Sequence, residues 1–191
     1  LSKIRSNSVK KVLDEIKKMS KDHDLYTKFF DEFGKPIKEG LYQDFQNRDA
    51  LLELVRYKST SVDGYTSLSD YKSRMKSDQT NIYYITGGTR NSLLSSPLLE
   101  MYNKNGIEVL VLDDEIDEIV ISAIPTYDDT PLKSVNHSDA IDDLKDEGYS
   151  KTDKSDLKPL IKKIKSHLGD QVKDVLISDR LTDSPACVVA D

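Results

Sequence analysis

Apolar positions recur at helical spacing from the first residues of the chain. Val9, Val12, Leu13, Ile16 and Met19 share a stripe between Ile4 and Ser20, with Lys10, Lys11, Lys17 and Lys18 opposite, which predicts a long amphipathic helix. His23-Asp24 interrupts it, and Tyr26, Phe29, Phe30 and Phe33 restore the spacing from Leu25 as far as Gly34. Pro36 suits the first turn of a further short helix ending near Gly40. Asn47 is a candidate N-cap for Arg48 to Tyr57, where Leu51, Leu52, Leu54 and Val55 face inward. The first third therefore reads as helices joined by short turns.

After Tyr57 the texture changes. Ser59 to Gly64 reads as a loop with a short strand. Ser67 stands three residues before Asp70, the spacing of a capping box, and Leu68, Tyr71 and Met75 follow at helical intervals. Ile82 to Thr86 is a dense β-branched and aromatic run stopped by Gly87-Gly88, hence a buried strand. Two helices, Thr89 to Ser95 and Pro97 to Asn105, precede a strand at Glu108 to Leu112. A helix then runs from Glu115 to Ile124, where Pro125 stops it. This alternation predicts a small α/β layer with at least partly parallel strands. Lys133 to Lys154 is polar and charge-rich and reads as a connection. Leu157 to Leu168 is an amphipathic helix closed by Gly169, and Val172 to Ser178 is expected to pair with Ala186 to Ala190 around the Asp183-Ser184-Pro185 turn. The expected class is α/β (α+β): a helical bundle segment at 1–57, a small α/β/α subdomain at 58–137, an acidic linker at 138–154, and a further unit at 155–191 that opens with one helix and strands.

A chain of 191 residues can bury one good core or two small ones. No apolar run approaches the length needed to span a bilayer, and no signal-peptide pattern opens the sequence. The single cysteine, Cys187, excludes an internal disulfide framework and fits a reducing compartment, so a cytoplasmic location is expected. Net charge is -6, with 15 acids against 4 lysines between Glu108 and Asp156, a balance that repels phosphates and argues against nucleic-acid binding. The sequence starts without methionine and stops directly after an apolar run, as a piece of a longer protein would.

Candidate chemistry is sparse. His23, His137 and His167 lie far apart, without metal-ligand spacing, and Cys187 has no evident histidine partner. The strand-Gly-Gly-Thr arrangement at Ile85 to Arg90 has the outline of a phosphate cradle, which leaves a small nucleotide-binding enzyme as the alternative reading. It lacks the third glycine of a dinucleotide fingerprint and the Gly-Lys-Ser/Thr of a P-loop. Asp113, Asp114, Glu115, Asp117 and Glu118 cluster at a helix start, where acids favour the helix dipole. Ile116, Ile119, Val120 and Ile124 form that helix's apolar stripe, while Ile121 departs from it and is expected to point elsewhere, outward as one option.

Six ordered blocks carry a family likeness. They are Glu39-Gly40 with Asp44-Phe45-Gln46-Asn47-Arg48, Leu54 to Thr60, Asp70 to Gly87, Ser96 to Glu100 with Gly106 to Leu110, Asp114 to Glu118, and Leu168 to Val175 with Arg180 to Pro185. Together they resemble the middle domain and first C-terminal elements of the heat-shock protein 90 chaperones, nearest to the bacterial branch. The resemblance implies a client-binding and domain-coupling module without a catalytic, cofactor-binding or metal site of its own. ATP and Mg, with the catalytic glutamate, belong to an N-terminal ATPase domain outside this sequence, and neither Arg5 nor Arg90 matches the family's γ-phosphate arginine. The partners implied are unfolded or partly folded clients, the N-terminal ATPase domain, and a second copy in a full-length homodimer, this piece alone being monomeric. Client contact falls on Glu118, Ile119 and Ser122. The family often has an aromatic residue where this sequence has Ile119.

Overall fold

A computed structural model describes residues 2–140, 157–178 and 180–190. Three helices lead: α1 (Ser2–Met19), α2 (His23–Gln43) and α3 (Arg48–Leu54). They are followed by β1 (Lys58–Ser59), α4 (Leu68–Arg74), β2 (Ile82–Ile85), α5 (Arg90–Leu94), a 3-10 turn at Pro97–Leu99, α6 (Glu100–Lys104), β3 (Val109–Val111) and α7 (Asp117–Ser122). The hairpin β4 (Thr126–Tyr127) and β5 (Thr130–Ser134) completes the sheet, and α8 (Lys158–Leu168) stands near the end.

The sheet order is β1-β3-β2-β5-β4, with β2 parallel to both β3 and β5 and antiparallel pairs at each edge. Alternation divides the strand side chains between two cores. Ile82, Leu110 and Leu112 face one core with Tyr26, Phe30, Ile37, Leu41, the α3 leucines, Val120, Ile121 and Ile124. Tyr83, Ile85, Val109 and Val111 face the other with Leu93, Leu98, Leu99 and Tyr102. The parallel pairs confirm the α/β reading, and residues on both sides of position 57 share the first core.

Four local expectations change. Helix α2 does not end at Gly34 or restart at Pro36 but runs unbroken through both. Phe30, Gly34, Ile37 and Leu41 keep its buried face continuous, while Pro36 lies on the exposed side, where water can satisfy the carbonyl that lost its partner. Gly34 has a packing role: a Cβ there would meet the Phe30 ring at 2.8 Å. Asn47 precedes α3 without capping it, because its side-chain amide donates to Asp44 at 2.7 Å. Lys133 and Ser134 belong to the sheet rather than to a polar connection; their strand follows a two-residue turn, with Asp128 at φ 44° and Asp129 at φ 61°. Both lie in the left-handed region a tight hairpin requires, without the usual glycine to announce it. The rest of the expected connection, 141–156, lies outside the described residues.

Finally, 172–178 and 186–189 form no strand pair among the described residues. Ala190 instead bridges His137 in parallel fashion, donating its N–H to Asn136 and accepting from the Ser138 N–H. The buried Arg180 fixes this strap from within by donating to the Val135, His137 and Ser138 carbonyls at 2.9, 2.8 and 3.3 Å. Such internal backbone partners favour docking onto β5 over a separate hairpin. The α8 expectation holds, with Gly169 closing the helix at φ 55°.

The two-layer contact between α2 and α7 is ionic at its centre. Lys38, 3% exposed, donates to Asp114 at 2.6 Å and to Asp117 at 3.0 Å, with its ammonium 5.1 Å from the Tyr57 ring centroid. Asp117 also accepts from the Asp114 N–H at 3.2 Å, so one carboxylate orders the start of α7 and binds α2. Burial raises the Asp117 pKa more than Lys38 lowers it. At the more exposed Asp114, burial also opposes ionisation, but the hydrogen bond and charge of Lys38 outweigh it and the pKa is lowered. Asp117 is thus the carboxylate that takes up a proton first. Replacing Lys38 with Met removes the only described cation contacting both acids and is expected to lower stability by about 3–5 kcal/mol in urea denaturation, the typical range for a buried pair stripped of one partner. A loss no larger than that of an exposed pair, about 1 kcal/mol or less, would show that the cluster does not hold these helices together.

Candidate functional site

The carboxyl ends of β2 and β3 open onto one edge of the sheet. After β2 the chain turns at Gly87-Gly88 and crosses by α5 and α6 on one face; after β3 it crosses by α7 on the other. The two connections therefore lie on opposite faces of the sheet, with α7 on the face of the first core.

Within α7 the three residues expected to contact a partner share the outer surface. Glu118, Ile119 and Ser122 are all exposed, and Ile119 is 56% accessible. Ser122 donates its hydroxyl to the Ile119 carbonyl at 2.6 Å. The expected stripe is corrected at two positions: Ile121 is buried with Val120 and Ile124, and Ile119 leaves the core. The anchor decides the rotation. With Asp117 held beneath the helix by Lys38, residues 120, 121 and 124 turn inward and residue 119 turns out.

Gly87 adopts φ +93°, and a Cβ there would lie 3.5 Å from Glu118 Oε1 and 4.0 Å from Asn136 Nδ2. Asn136 holds the turn in place, donating to the Thr86 carbonyl at 3.1 Å while its own oxygen accepts from the Thr86 N–H at 3.4 Å. A carboxylate therefore borders the proposed phosphate cradle. Helix α5 behind it has five residues, and its capping Thr89 already accepts from the Ser92 N–H. This geometry gives the nucleotide alternative no support, because an incoming phosphate would meet Glu118.

The remaining candidates do not converge. Among the described residues no group of three or more His, Cys, Asp or Glu could hold a metal ion, and Cys187 is half-buried against the second core. The acidic cluster is divided: Asp113 pairs with Lys58 at 2.7 Å, Asp114 and Asp117 share Lys38, and Glu115 and Glu118 remain exposed. Arg90 lies 3.8 Å from Asp63.

Comparison with known proteins settles the lineage. The family model for Hsp90 protein matches residues 1–191. The chain belongs to the Hsp90 family. It is 48% identical over 199 residues to the chaperone protein HtpG of Treponema denticola and 44% identical over 192 residues to HtpG of Borrelia garinii. Both alignments take in the whole chain but only 31% of the relative's length. The solved middle domain of a Plasmodium falciparum heat shock protein superposes with a TM-score of 0.67 at 33% identity, covering 72% of this chain and 58% of that one. The α/β architecture is thus that of an Hsp90 middle domain, and the chain is similar to bacterial chaperones throughout its length.

Sequence reasoning did not single out Lys38, Asn136 or Arg180. Lys38 had a usable signal, because it lies four residues after Gly34 and three before Leu41, on the buried side of its helix. Arg180 and Asn136 act through backbone groups distant in sequence and left no comparable mark. With Glu118 beside the Gly87-Gly88 turn, millimolar ATP is expected to leave the melting temperature of the 191-residue chain unchanged. A saturable upward shift would reinstate nucleotide binding at this turn or elsewhere in the chain.

Proposed function

We propose that this region is the client-binding and coupling part of an ATP-dependent Hsp90 chaperone, with client contact on the outer face of α7. The observation that carries the reading is Ile119: an aliphatic side chain turned out of the core beside Glu118 and Ser122, on a helix whose opposite side is fixed by a buried ion cluster. Apolar surface held outward at a constant angle offers a partly unfolded chain a place to bury its own apolar groups. The flanking carboxylate and hydroxyl keep the patch small and wet when unoccupied.

On this reading ATP and Mg bind in an N-terminal domain outside this chain, and the region itself hydrolyses nothing. The full-length protein works as a homodimer in the cytoplasm, whereas this piece alone is a monomer. Family membership and the likeness to a solved middle domain support the chaperone reading from which these assignments follow. No described helix is long and apolar enough to cross a membrane.

Substituting Ile119 with Asp in the full-length protein is expected to weaken protection of an unfolded substrate from aggregation while basal ATP hydrolysis stays intact. Unchanged protection would remove Ile119 from the contact face. Separately, ATP hydrolysis by the 191-residue chain above a heat-killed control would overturn its assignment as non-catalytic.

A further inference from the structure

Besides the Ala190 bridge to 136–138, the segment from residue 180 is fastened at two points of different character. Arg180 is the inner one, buried and bound to three backbone carbonyls. The outer fastening is a carboxylate on the surface. Glu100, the first residue of α6, accepts from three consecutive backbone N–H groups, those of Thr182 at 2.6 Å, Asp183 at 2.9 Å and Ser184 at 3.1 Å. Consecutive amides converging on one anion form a nest, a site whose partial positive charge is fixed by backbone geometry. Hydrogen bonds from Ser184, then Asp183 and Thr182, hold the Glu100 carboxyl down at about 2. A depressed value means that its contribution is present above the ordinary carboxylate range and is lost progressively as pH falls from that range through about 2.

What the strap touches next gives it a consequence. Ala190 donates to the Asn136 carbonyl, and the Asn136 side chain grips Thr86 through both its oxygen and its nitrogen. A series of contacts thus leads from the surface pin at Glu100, along the strap, to the Thr86-Gly87 turn, where a Cβ on Gly87 would come within 3.5 Å of Glu118 Oε1 on α7.

We propose that Glu100 in the Thr182–Ser184 nest is a releasable latch, and that its state sets the rigidity of the Gly87 turn and of the contact face on α7. Arg180 is the permanent anchor, because withdrawing it leaves a desolvated guanidinium or strips three backbone carbonyls of its hydrogen bonds. Glu100 lies at the surface, where water can replace the amides on its carboxylate when the two part. Opening of the outer fastening frees 182–184, and the change reaches the Gly87 turn through Ala190 and Asn136. This inference rests on α7 being the client-contact face, although the latch itself does not.

The test is amide hydrogen exchange on the full-length protein, wild type against Glu100→Ala, Glu100→Gln and Asn136→Ala, with binding of a fluorescent, permanently unfolded protein measured in parallel. In Glu100→Ala, exchange at 182–184, 136–138 and 86–88 is expected to rise roughly tenfold while α2 and α3 stay protected, with Glu100→Gln intermediate. Asn136→Ala should loosen 86–88 and leave 183–184 protected. Faster exchange confined to 182–184 would overturn the coupling, unchanged exchange there would overturn the latch, and a uniform rise including α2 and α3 would show a general structural role instead. Client binding is expected to weaken about threefold or more in Glu100→Ala. If binding is unchanged there but falls in Ile119→Asp, the coupling is refuted and the client reading stands. If Ile119→Asp is also without effect, the client reading fails, and exchange alone decides the latch.

Discussion

A single buried ammonium group ties α2 to the crossover that carries α7. Lys38 enters the α2–α7 contact with almost no access to water and meets two carboxylates of the segment that starts α7. Transfer of a lysine charge into such a place is tolerable only with partners at hydrogen-bond distance. That requirement is directional in a way apolar packing is not. It fixes which side of α7 lies against α2, and so fixes which side faces solvent. The Tyr57 ring below the ammonium adds a cation–π contact, and its hydroxyl has no hydrogen-bond partner among the described residues.

The rotation explains how a short helix serves two purposes. Val120, Ile121 and Ile124 contribute to the first core, whereas Glu118, Ile119 and Ser122 are exposed on the opposite side of the helix. An apolar stripe alone would have allowed Ile119 to pack inward and Ile121 to turn out. The ion cluster selects the other arrangement, in which an aliphatic group remains available at the surface.

Much of the architecture was legible because local rules and tertiary packing agreed. Ser67 caps α4 as its spacing implies, with its side chain accepting from the Asp70 N–H, and the Ile82 to Ile85 run is the central parallel strand. Disagreement arose where distant groups overrode a local signal. Gly34 and Pro36 look like helix breakers, yet the continuous buried face of α2 carries the helix through them. The Asp128-Asp129 turn hides a hairpin because neither residue is glycine. The segment after Arg180 looks like half of a hairpin, but backbone groups of 135–138 capture it. The three residues proposed for client contact were nameable from family likeness, whereas the outward turn of Ile119 required the position of Lys38 some eighty residues earlier.

The most direct measurement of this dependence is a double-mutant cycle joining Lys38→Met and Asp117→Asn, read by urea denaturation. If the buried pair fixes α7 against α2, each single variant leaves an unmatched polar or charged group inside. The double variant removes both charges, and Asp114, being more exposed, can be solvated. The expected result is a coupling energy of about 2 kcal/mol or more, with the double variant more stable than Lys38→Met alone. Additive losses, with no coupling beyond about 0.5 kcal/mol, would contradict the central role given to this ion pair.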